Sequence, residues 1–356
     1  MKCKYCGSSR IIKKGVRKRK KKTLQQYKCN KCGRYFTDAP MEGRSYRPNV
    51  ILEAITQYNL GKTLEQAAKS VNSRFGERIY ARIIGSWLKD YDNVCSYHRI
   101  RKDIGKGKSP VFLHRFDHKQ VYNFMYHRKK IDRFVNKYFS GLAKYLENVV
   151  KECPEKLFND ENVRGSQIRI NKINVKGMRV YKGKNKACEL AKLALSGVKD
   201  NKKRHEKIQE LMLANDTATI AVEVPVWLRL HEFSGMKLFS GINSAITGHI
   251  DIIQMRYGMV YVLDYKPDAL HKKPIAQLFF YALALSVRTG IWLRNFRCAW
   301  FDENNYYEFN PNLIILRNEN IKEGDRKKYL LDIKANKYFT SKEFSDVKQL
   351  KGKKVE

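Results

Sequence analysis

The stretch TGHIDIIQMRYGMVYVLDYKPD, Thr247–Asp268, predicts the centre of the fold. Two apolar runs flank Tyr257–Gly258, a pair typical of a tight turn, so we expect a β-hairpin. A hairpin that is symmetric about this turn places Asp251 opposite Asp264, with their Cβ atoms about 5 Å apart on one face. Both faces are otherwise apolar, as in sheets that helices cover on both sides. The same register pairs Arg256 with Met259 and Ile253 with Val262.

Two carboxylates this close repel each other unless a cation lies between them. Carboxylate oxygens are ligands that Mg²⁺ and Mn²⁺ prefer, usually with waters and substrate phosphate oxygens as further ligands. Lys266 follows Asp264 by two residues and therefore projects from the same face of the strand. There it can orient a water or offset charge on a phosphorane. An ordinary ion pair between Asp264 and Lys266 at a strand end is the alternative. The opposing Asp251 favours metal-dependent phosphodiester cleavage.

Two flanking segments are expected to be helical. Residues 274–290 begin with proline and end with glycine, which are typical helix boundaries, and Gln277 and Tyr281 share one face of this helix. Residues 186–213 form the other helical segment, and His205 lies in its second half. Taken alone, His205 is better explained as a surface histidine in a charged segment.

Glu223 is a lone acid inside the apolar run TIAVEVPVWL, Thr219–Leu228, which we expect to be a strand. An acid in such a strand is costly to bury without a partner. Glu223 is therefore a further candidate for the site of Asp251 and Asp264.

The order of these residues resembles the RecB-like branch of the PD-(D/E)xK nuclease superfamily, which includes the CRISPR-associated RecB-type exonucleases. The resemblance covers about residues 185–300. It implies a C-terminal α/β restriction-endonuclease-like domain with a central mixed sheet flanked by helices. The matching positions are His205, Glu223, Gly248-His249-Ile250-Asp251, Asp264-Tyr265-Lys266, and Gln277 with Tyr281.

The resemblance also implies roles for these residues. His205, Asp251, Asp264 and the backbone carbonyl of Tyr265 would bind the catalytic Mg²⁺ or Mn²⁺, and Lys266 would be catalytic. The motif around Lys266 carries Asp where many relatives carry Glu, which shortens the reach to the metal without a loss of chemistry. Gln277 and Tyr281 would support the site or contact DNA, and Glu223 matches an acid whose role is less fixed.

The charge of the chain indicates a polyanionic partner. Its 356 residues include 72 Lys and Arg against 35 Asp and Glu, a net charge of +37 at pH 7, and such a field attracts nucleic acid. An acidic membrane surface is the rival partner, but no apolar stretch is long enough to span a bilayer and no signal peptide is found. We expect a cytoplasmic protein with reduced thiols, DNA as its partner and no small-molecule cofactor.

Two cysteine pairs open the chain: Cys3-x2-Cys6 and Cys29-x2-Cys32. Their spacing predicts a four-cysteine zinc ribbon, since four thiolates suit tetrahedral Zn²⁺, and Gly7 and Gly33 follow the pairs where tight turns need glycine. Disulfides are the alternative, which a reducing cytoplasm disfavours. The other cysteines are scattered and are expected to be buried thiols; we do not expect an iron–sulfur cluster. They are Cys95, Cys153, Cys188 and Cys298.

The segment between the pairs is strongly basic, and the whole ribbon resembles those at the front of insertion-sequence transposases. A charge run is usually a solvated face, but on a zinc hairpin in so basic a chain we favour contact with DNA phosphates. The candidate contacts are Arg17, Arg19 and Lys20.

Three helices are expected next, near Asn49–Tyr58, Thr63–Val71 and Ile79–Tyr91. Thr63 is a good N-cap, with Gln66 placed to complete a capping box. The segment resembles a transposase-type helix-turn-helix, whose last helix would lie in the major groove; a generic three-helix bundle is the alternative. The candidate DNA contacts are Arg78, Arg82 and Ser86.

These patterns predict a multidomain chain: a zinc ribbon (1–40), a three-helix helix-turn-helix domain (45–97), a basic helical connector (98–165), a PD-(D/E)xK nuclease domain (166–317) and a basic C-terminal extension (318–356). We expect a Mg²⁺- or Mn²⁺-dependent deoxyribonuclease that its N-terminal module targets to DNA, in a mobile element or a DNA-processing system. Exonuclease and endonuclease action are both open. The protein could also form a homo-oligomer or act with a partner protein. The main alternative is a non-catalytic DNA-binding regulator with a nuclease-fold scaffold. The presence of Asp251, Asp264 and Lys266 argues against it, because an inactive nuclease site usually lacks one of these residues. An RNA-processing enzyme is weaker, because no RNP-type aromatic motif is found.

Overall fold

The computed structural model describes residues 3, 8–19, 22–37, 46–103, 109–160, 163–168, 180–183, 185–196, 203–233, 236 and 239–314. The chain divides into two units: residues 1–111 with 184–217, and residues 112–183 with 218–356. In chain order the strands and helices are β1 (Ile11–Arg19), β2 (Lys22–Cys29), β3 (Tyr35–Thr37), α1 (Pro48–Asn59), α2 (Leu64–Phe75), α3 (Ala81–Asp90), β4 (Val111–Asp117), β5 (Val121–His127), α4 (Arg128–Phe134), α5 (Ser140–Glu152), α6 (Glu155–Asn159), β6 (Val163–Arg164), β7 (Tyr181–Gly183), α7 (Lys186–Leu195), α8 (Arg204–Asn215), β8 (Thr219–Leu228), α9 (Leu230–Phe233), β9 (Ile246–Arg256), β10 (Met259–Tyr265), α10 (Ile275–Thr289), β11 (Phe296–Phe301) and β12 (Tyr306–Phe309).

The first unit begins with a three-stranded antiparallel sheet in the order β1-β2-β3. A small cluster of Cys3, Cys29 and Phe36 forms its core, and Tyr27 stacks on Phe36 with ring centroids 5.8 Å apart. So small a core stabilises little by itself, so a sheet of this size needs a further link such as a metal.

Three helices follow, close to the predicted bounds. The capping box before α2 is confirmed: the Thr63 hydroxyl accepts from the Gln66 N–H at 3.1 Å, and the Gln66 side chain accepts from the Thr63 N–H at 3.0 Å. The Asn72 side chain then binds both the N–H and the C=O of Ile79, at 2.8 and 2.9 Å. This double hydrogen bond fixes the turn between α2 and α3.

Helices α7 and α8 also belong to the first unit, where both pack against α1. A buried amide pair joins α1 to α8: Asn59 Nδ2 donates to Asn215 Oδ1 at 2.9 Å, and Asn215 Nδ2 donates to Thr56 Oγ1 at 2.8 Å. The predicted nuclease domain (166–317) had included these helices. Their grouping differs from that expectation, because the apolar faces of α7 and α8 do not reveal by their period which partner covers them.

The second unit is built on a nine-stranded mixed sheet in the order β4-β5-β8-β9-β10-β11-β12-β7, with β6 paired to β9. The pairs β10–β11 and β6–β9 are parallel, while β8–β9 and β9–β10 are antiparallel. Helices α5 and α10 pack against the sheet. The predicted central mixed sheet flanked by helices is therefore confirmed.

The β9–β10 hairpin has the predicted register, with Arg256 opposite Met259 and Ile253 opposite Val262. Tyr257 and Gly258 both take the left-handed conformation, at φ 52° and 65°, as a tight two-residue turn requires. Helix α10 runs from Ile275 to Thr289, and Gly290 closes it at φ 72°.

The expected helical connector (98–165) is different in the structure. Strands β4 and β5 lie within it, and β5 pairs with β8 through Met125↔Val222 and Tyr126↔Ala221. Within β5, Tyr122, Phe124 and Tyr126 alternate with period two, as in a strand. Residues 104–108 of the expected connector and the extension 318–356 lie outside the described residues.

Among the described residues, no helix has both the length and the apolar character that crossing a bilayer requires.

Replacing Thr63 by alanine should destabilise the first unit by about 1 kcal/mol, because α2 loses the side-chain acceptor at its N-terminus. Urea unfolding followed by circular dichroism measures the change. The Ser73→Ala variant, at an exposed position of the same helix, is the control and should be close to neutral. Equal stabilities of the two variants would contradict the capping role of Thr63.

Candidate active site

The site lies where the β9–β10 ladder ends. The last backbone pair is Ile252↔Leu263, so Asp251 and Asp264 face each other at the next step. There the Asp251 side chain takes over from the backbone, and its Oδ2 accepts a hydrogen bond from the Tyr265 N–H at 3.3 Å. The hairpin register thus holds the two carboxylates together, as the sequence predicted.

Asp264 is 1% exposed, and its Oδ2 lies 2.9 Å from Lys266 Nζ. Within the described residues, no well-aligned hydrogen bond reaches either of its carboxylate oxygens. Burial and the nearby Asp251 raise the pKa of Asp264 well above its ordinary value, against the opposing effect of Lys266. A buried carboxyl that faces a second acid fits a divalent cation.

Lys266 responds in the opposite sense. Burial lowers the pKa of Lys266, but the carboxylates of Asp264 and Asp251 raise it by more. The pKa of Lys266 therefore lies above its ordinary value. The lysine is therefore a stable cation at neutral pH.

Glu223 extends the row of acids to a third strand. The pairs Val222↔Ile252 and Val224↔Ile250 place it across from Asp251. Its backbone has φ 51°, which costs a non-glycine residue about 1–3 kcal/mol and typically occurs at functional sites. Strands β8, β9 and β10 thus each carry one acid at this level.

Gln277 and Tyr281 lie together as predicted, with Gln277 Nε2 donating to the Tyr281 hydroxyl at 3.0 Å. The Tyr281 ring occupies the space where a side chain of residue 248 would begin: a Cβ on Gly248 would lie 2.5 Å from ring atom Cε1. Burial, with the charges of Asp251 and Asp264, raises the pKa of Tyr281 well above its ordinary value. The tyrosine is a neutral donor beside the acids.

A clamp fixes the chain beyond Lys266. The Lys266 N–H donates to the Phe301 C=O at 2.9 Å. Three residues later, the Ala269 N–H donates to Asp302 Oδ2 and its C=O accepts from Trp300 Nε1, both at 2.9 Å. Strand β11 thereby holds the loop that carries the lysine.

Sequence reasoning missed three residues at this site. Tyr122 of β5 stacks on His249 with ring centroids 3.6 Å apart, and His249 Nε2 lies 3.0 Å from His118 Nδ1. His249 stands inside the G-H-I-D motif, which could have drawn attention to it. Tyr122 and Arg164 had no such signal, because β5 and β6 lie far from the motifs in the chain.

The other predicted metal ligands are placed as follows. The Tyr265 side chain is buried at 1% exposure, and its ring packs edge-on against Phe301. His205 lies on α8 in the first unit. Its role as a ligand of the same metal stays a prediction.

Three of the four predicted zinc ligands come together in the first unit. The ligand atoms of Cys3, Cys29 and Cys32 lie within 4.8 Å of one another, and Cys6 and Gly7 lie outside the described residues. The turn after Cys29 is closed by the Gly33 N–H donating to the Cys29 C=O at 2.8 Å, with Gly33 at φ 71°. Three converging thiols, two of them in this turn, fit a tetrahedral metal ion.

The predicted DNA contacts are also in the first unit. Arg82 lies 5.9 Å from the ring centroid of Tyr80 at the start of α3, and Ser86 Oγ donates to Asp90 at 3.3 Å. The backbone C=O of Arg78 accepts from the Tyr46 hydroxyl. Arg17 and Arg19 lie on β1 with side chains outside the described part of the structure, and Lys20 is outside it altogether.

Comparisons with protein-family models, with curated proteins and with solved structures found no match. The site must therefore be interpreted from its own geometry.

We expect the purified protein to carry about one zinc ion on its cysteine cluster. The Cys29→Ser variant should lose it, because one of the converging thiolates is gone. Metal analysis after gel filtration gives the stoichiometry. Cys188→Ser, at a buried cysteine of α7, is the control and should retain the metal; equal zinc contents in both variants would contradict the assignment.

The raised pKa of Asp264 also makes a prediction about stability. The folded protein binds this proton more tightly than the unfolded chain, so the stabilisation is complete below the ordinary pKa of 3.8 and is lost as the pH rises through the folded-state pKa. Asp264→Asn should therefore raise the melting temperature at pH 7 without added divalent metal, and the difference should shrink towards pH 4. Adding Mn²⁺ should stabilise the wild type but not the variant.

Thermal unfolding followed by tryptophan fluorescence measures both effects. Asp268→Asn, at an exposed aspartate that pairs with His271, is the control and should show neither. A wild type that melts above Asp264→Asn at pH 7 without divalent metal would contradict the electrostatic conflict at the site.

Proposed function

We propose that this protein is a metal-dependent DNA nuclease that hydrolyses phosphodiester bonds at the Asp251–Asp264–Lys266 site. One observation carries the proposal: a fully buried carboxylate faces a second carboxylate at the end of a central sheet, with a lysine 2.9 Å away. An arrangement that strains folding in this way is typical of a functional site. The fold of the RecB-like PD-(D/E)xK nucleases, which the motifs resemble, belongs to the same proposal.

The donor set suits Mg²⁺ or Mn²⁺. Asp251 and Asp264 offer hard oxygen ligands, and the oxygens of Asp264 lack well-aligned hydrogen bonds within the described residues. Such a metal supplies a polarised phosphate and a water of lowered pKa. Glu223 and the Tyr265 carbonyl are proposed as further ligands or supports.

The remaining residues have roles that follow from their contacts. Lys266 holds a proton at Nζ and stabilises negative charge on the attacked phosphate. The clamp on Ala269 keeps the lysine loop in place, so the ammonium need not reorganise during the reaction. Gln277 orients the Tyr281 hydroxyl, which can donate to a phosphate oxygen or to a carboxylate.

The first unit is proposed to bind duplex DNA. The support is the net charge of +37, the fixed turn between α2 and α3, and the cysteine cluster in a basic hairpin. Zinc would hold that hairpin, and phosphate contacts would supply most of the affinity. A mobile-element or DNA-processing role is proposed on the same grounds.

Cleavage of labelled DNA tests the activity. Wild-type protein should cut linear or circular DNA with Mg²⁺ or Mn²⁺ and not with EDTA. Asp251→Asn, Asp264→Asn and Lys266→Met should each lower the rate at least about a hundredfold, because each removes a charge from the reacting centre. Circular substrate separates endonuclease from exonuclease action.

Asp268→Asn is the matched control, since this acid follows Lys266 by two residues but is exposed and pairs with His271. Its activity should equal that of the wild type. DNA binding without cutting, unchanged in all four variants, would overturn the nuclease proposal and favour a DNA-binding regulator built on the same fold.

A further inference from the structure

The sheet has a gap beside Asp251. Strand β8 occupies one edge of β9 from Thr219↔Gln254 to Leu228↔Ile246. On the other edge, β10 pairs with residues 252–256 and β6 pairs with residues 246–247. Among the described residues, no strand lies beside 248–251 on this edge, and β6 and β10 approach the gap from opposite ends.

Both borders of this gap carry a cation. From β10 come Asp264 and, just beyond, Lys266. From β6 comes Arg164, paired with Thr247. The Tyr281 ring lies close to both sides, since a Cβ on Gly165 would be 3.0 Å from its Cε1 and a Cβ on Gly248 would be 2.5 Å from the same atom. Because Gly165 and Gly248 have no side chains, the Tyr281 ring can approach the backbone on both sides of the gap.

The contacts of Arg164 place its guanidinium next to the cluster of His118, His249 and Tyr122. Its Nη2 lies 3.5 Å from the His118 C=O, and His118 contacts His249, which stacks on Tyr122. Burial raises the pKa of Tyr122, Arg164 lowers it, and Glu223 and Asp251 raise it. The Tyr122 hydroxyl thus experiences the charges of Arg164 and of both acids.

Arg164 differs from Lys266 in what it binds. Lys266 is paired with Asp264, whereas no carboxylate among the described residues lies within ion-pair distance of Arg164, and its hydrogen bond to His118 is at the limit of length. A partly buried guanidinium without an anionic partner is disposed to take one. Its planar fork matches the oxygens of a phosphate better than an ammonium does.

We propose that Arg164 is the phosphate-binding residue of this site and holds a phosphate of the nucleic-acid strand next to the one that is cleaved. The proposal rests on the proposed nuclease function. The bound group is either an internal phosphodiester or a terminal 5′-phosphate. Arg164 positions the strand, and Asp251, Asp264 and Lys266 act on the neighbouring phosphate.

Equilibrium binding of a short probe tests this without requiring catalysis. The probes are 3′-fluorescein-labelled trithymidylates with a 5′-phosphate or a 5′-hydroxyl, titrated with the full-length protein in Ca²⁺ at constant ionic strength. Arg164→Gln should weaken binding about tenfold or more, because a charge-assisted hydrogen bond is lost. Arg164→Lys should give an intermediate loss. Arg115→Ala is the control, since this arginine is exposed on β4 and pairs with Asp117.

The two probes identify the phosphate. Equal losses for both mean an internal phosphodiester, and a loss confined to the 5′-phosphorylated probe means a terminal phosphate. Wild-type affinity in both Arg164 variants, or a loss in Arg115→Ala as large as in Arg164→Gln, would overturn the proposal. Should the wild type cut no DNA at all, the nuclease proposal fails, but a selective loss with Arg164→Gln would still establish the anion site.

If the protein cuts DNA, steady-state kinetics supply a second readout. Arg164→Gln should raise KM for an oligonucleotide more than it lowers kcat, because it removes binding that ground and transition states share. Melting temperatures of the variants, compared with wild type, verify that each is folded. An unchanged KM would count against Arg164 as well.

Discussion

The repulsion between Asp251 and Asp264 is the constraint on which the rest of the second unit depends. A protein selected for stability alone would not place two acids opposite each other at the buried end of a hairpin. The surrounding structure holds the two acids in place. The β9–β10 register fixes both backbones, the Tyr265 N–H donates to Asp251, and Lys266 pairs with Asp264. Strand β11 in turn anchors the lysine loop. The sheet therefore acts as a rigid frame that supports a local electrostatic conflict.

Those parts of the fold that depend on local pattern could be predicted. The turn at Tyr257–Gly258 sets the hairpin register within a few residues, and the capping box of α2 is a contact between neighbours in sequence. The partners of α7 and α8 could not be predicted, because an amphipathic period shows that a face is buried but not against what. The β4–β5 hairpin was missed for a related reason: aromatic residues suit strands and helices alike, and β8, the strand that accepts β5, lies far along the chain.

The site shows the same division. Five residues of the site lie in one stretch of chain: Asp251, Asp264, Lys266, Gln277 and Tyr281. Within this stretch, spacing and turn geometry determine which side chains face each other. The second cysteine pair is local in the same sense, since Cys29 and Cys32 lie in one turn, whereas Cys3 reaches them from far along the chain. Tyr122 and Arg164 come from strands that precede this stretch by several elements, and only the assembled sheet brings them beside the acids. His249 is intermediate, because its place in the motif was visible while its ring stack was not.

The division of the chain into two interleaved units has a consequence for how it is made. Strand β5 can pair with β8 only after the ribosome has added α7 and α8, which belong to the other unit. The edge of β5 that binds β8 therefore stays without that partner until the first unit has received its last helix. Folding during synthesis would then proceed in a set order, with the helical unit closing before the sheet. A chain interrupted between residues 128 and 217 would leave both units incomplete.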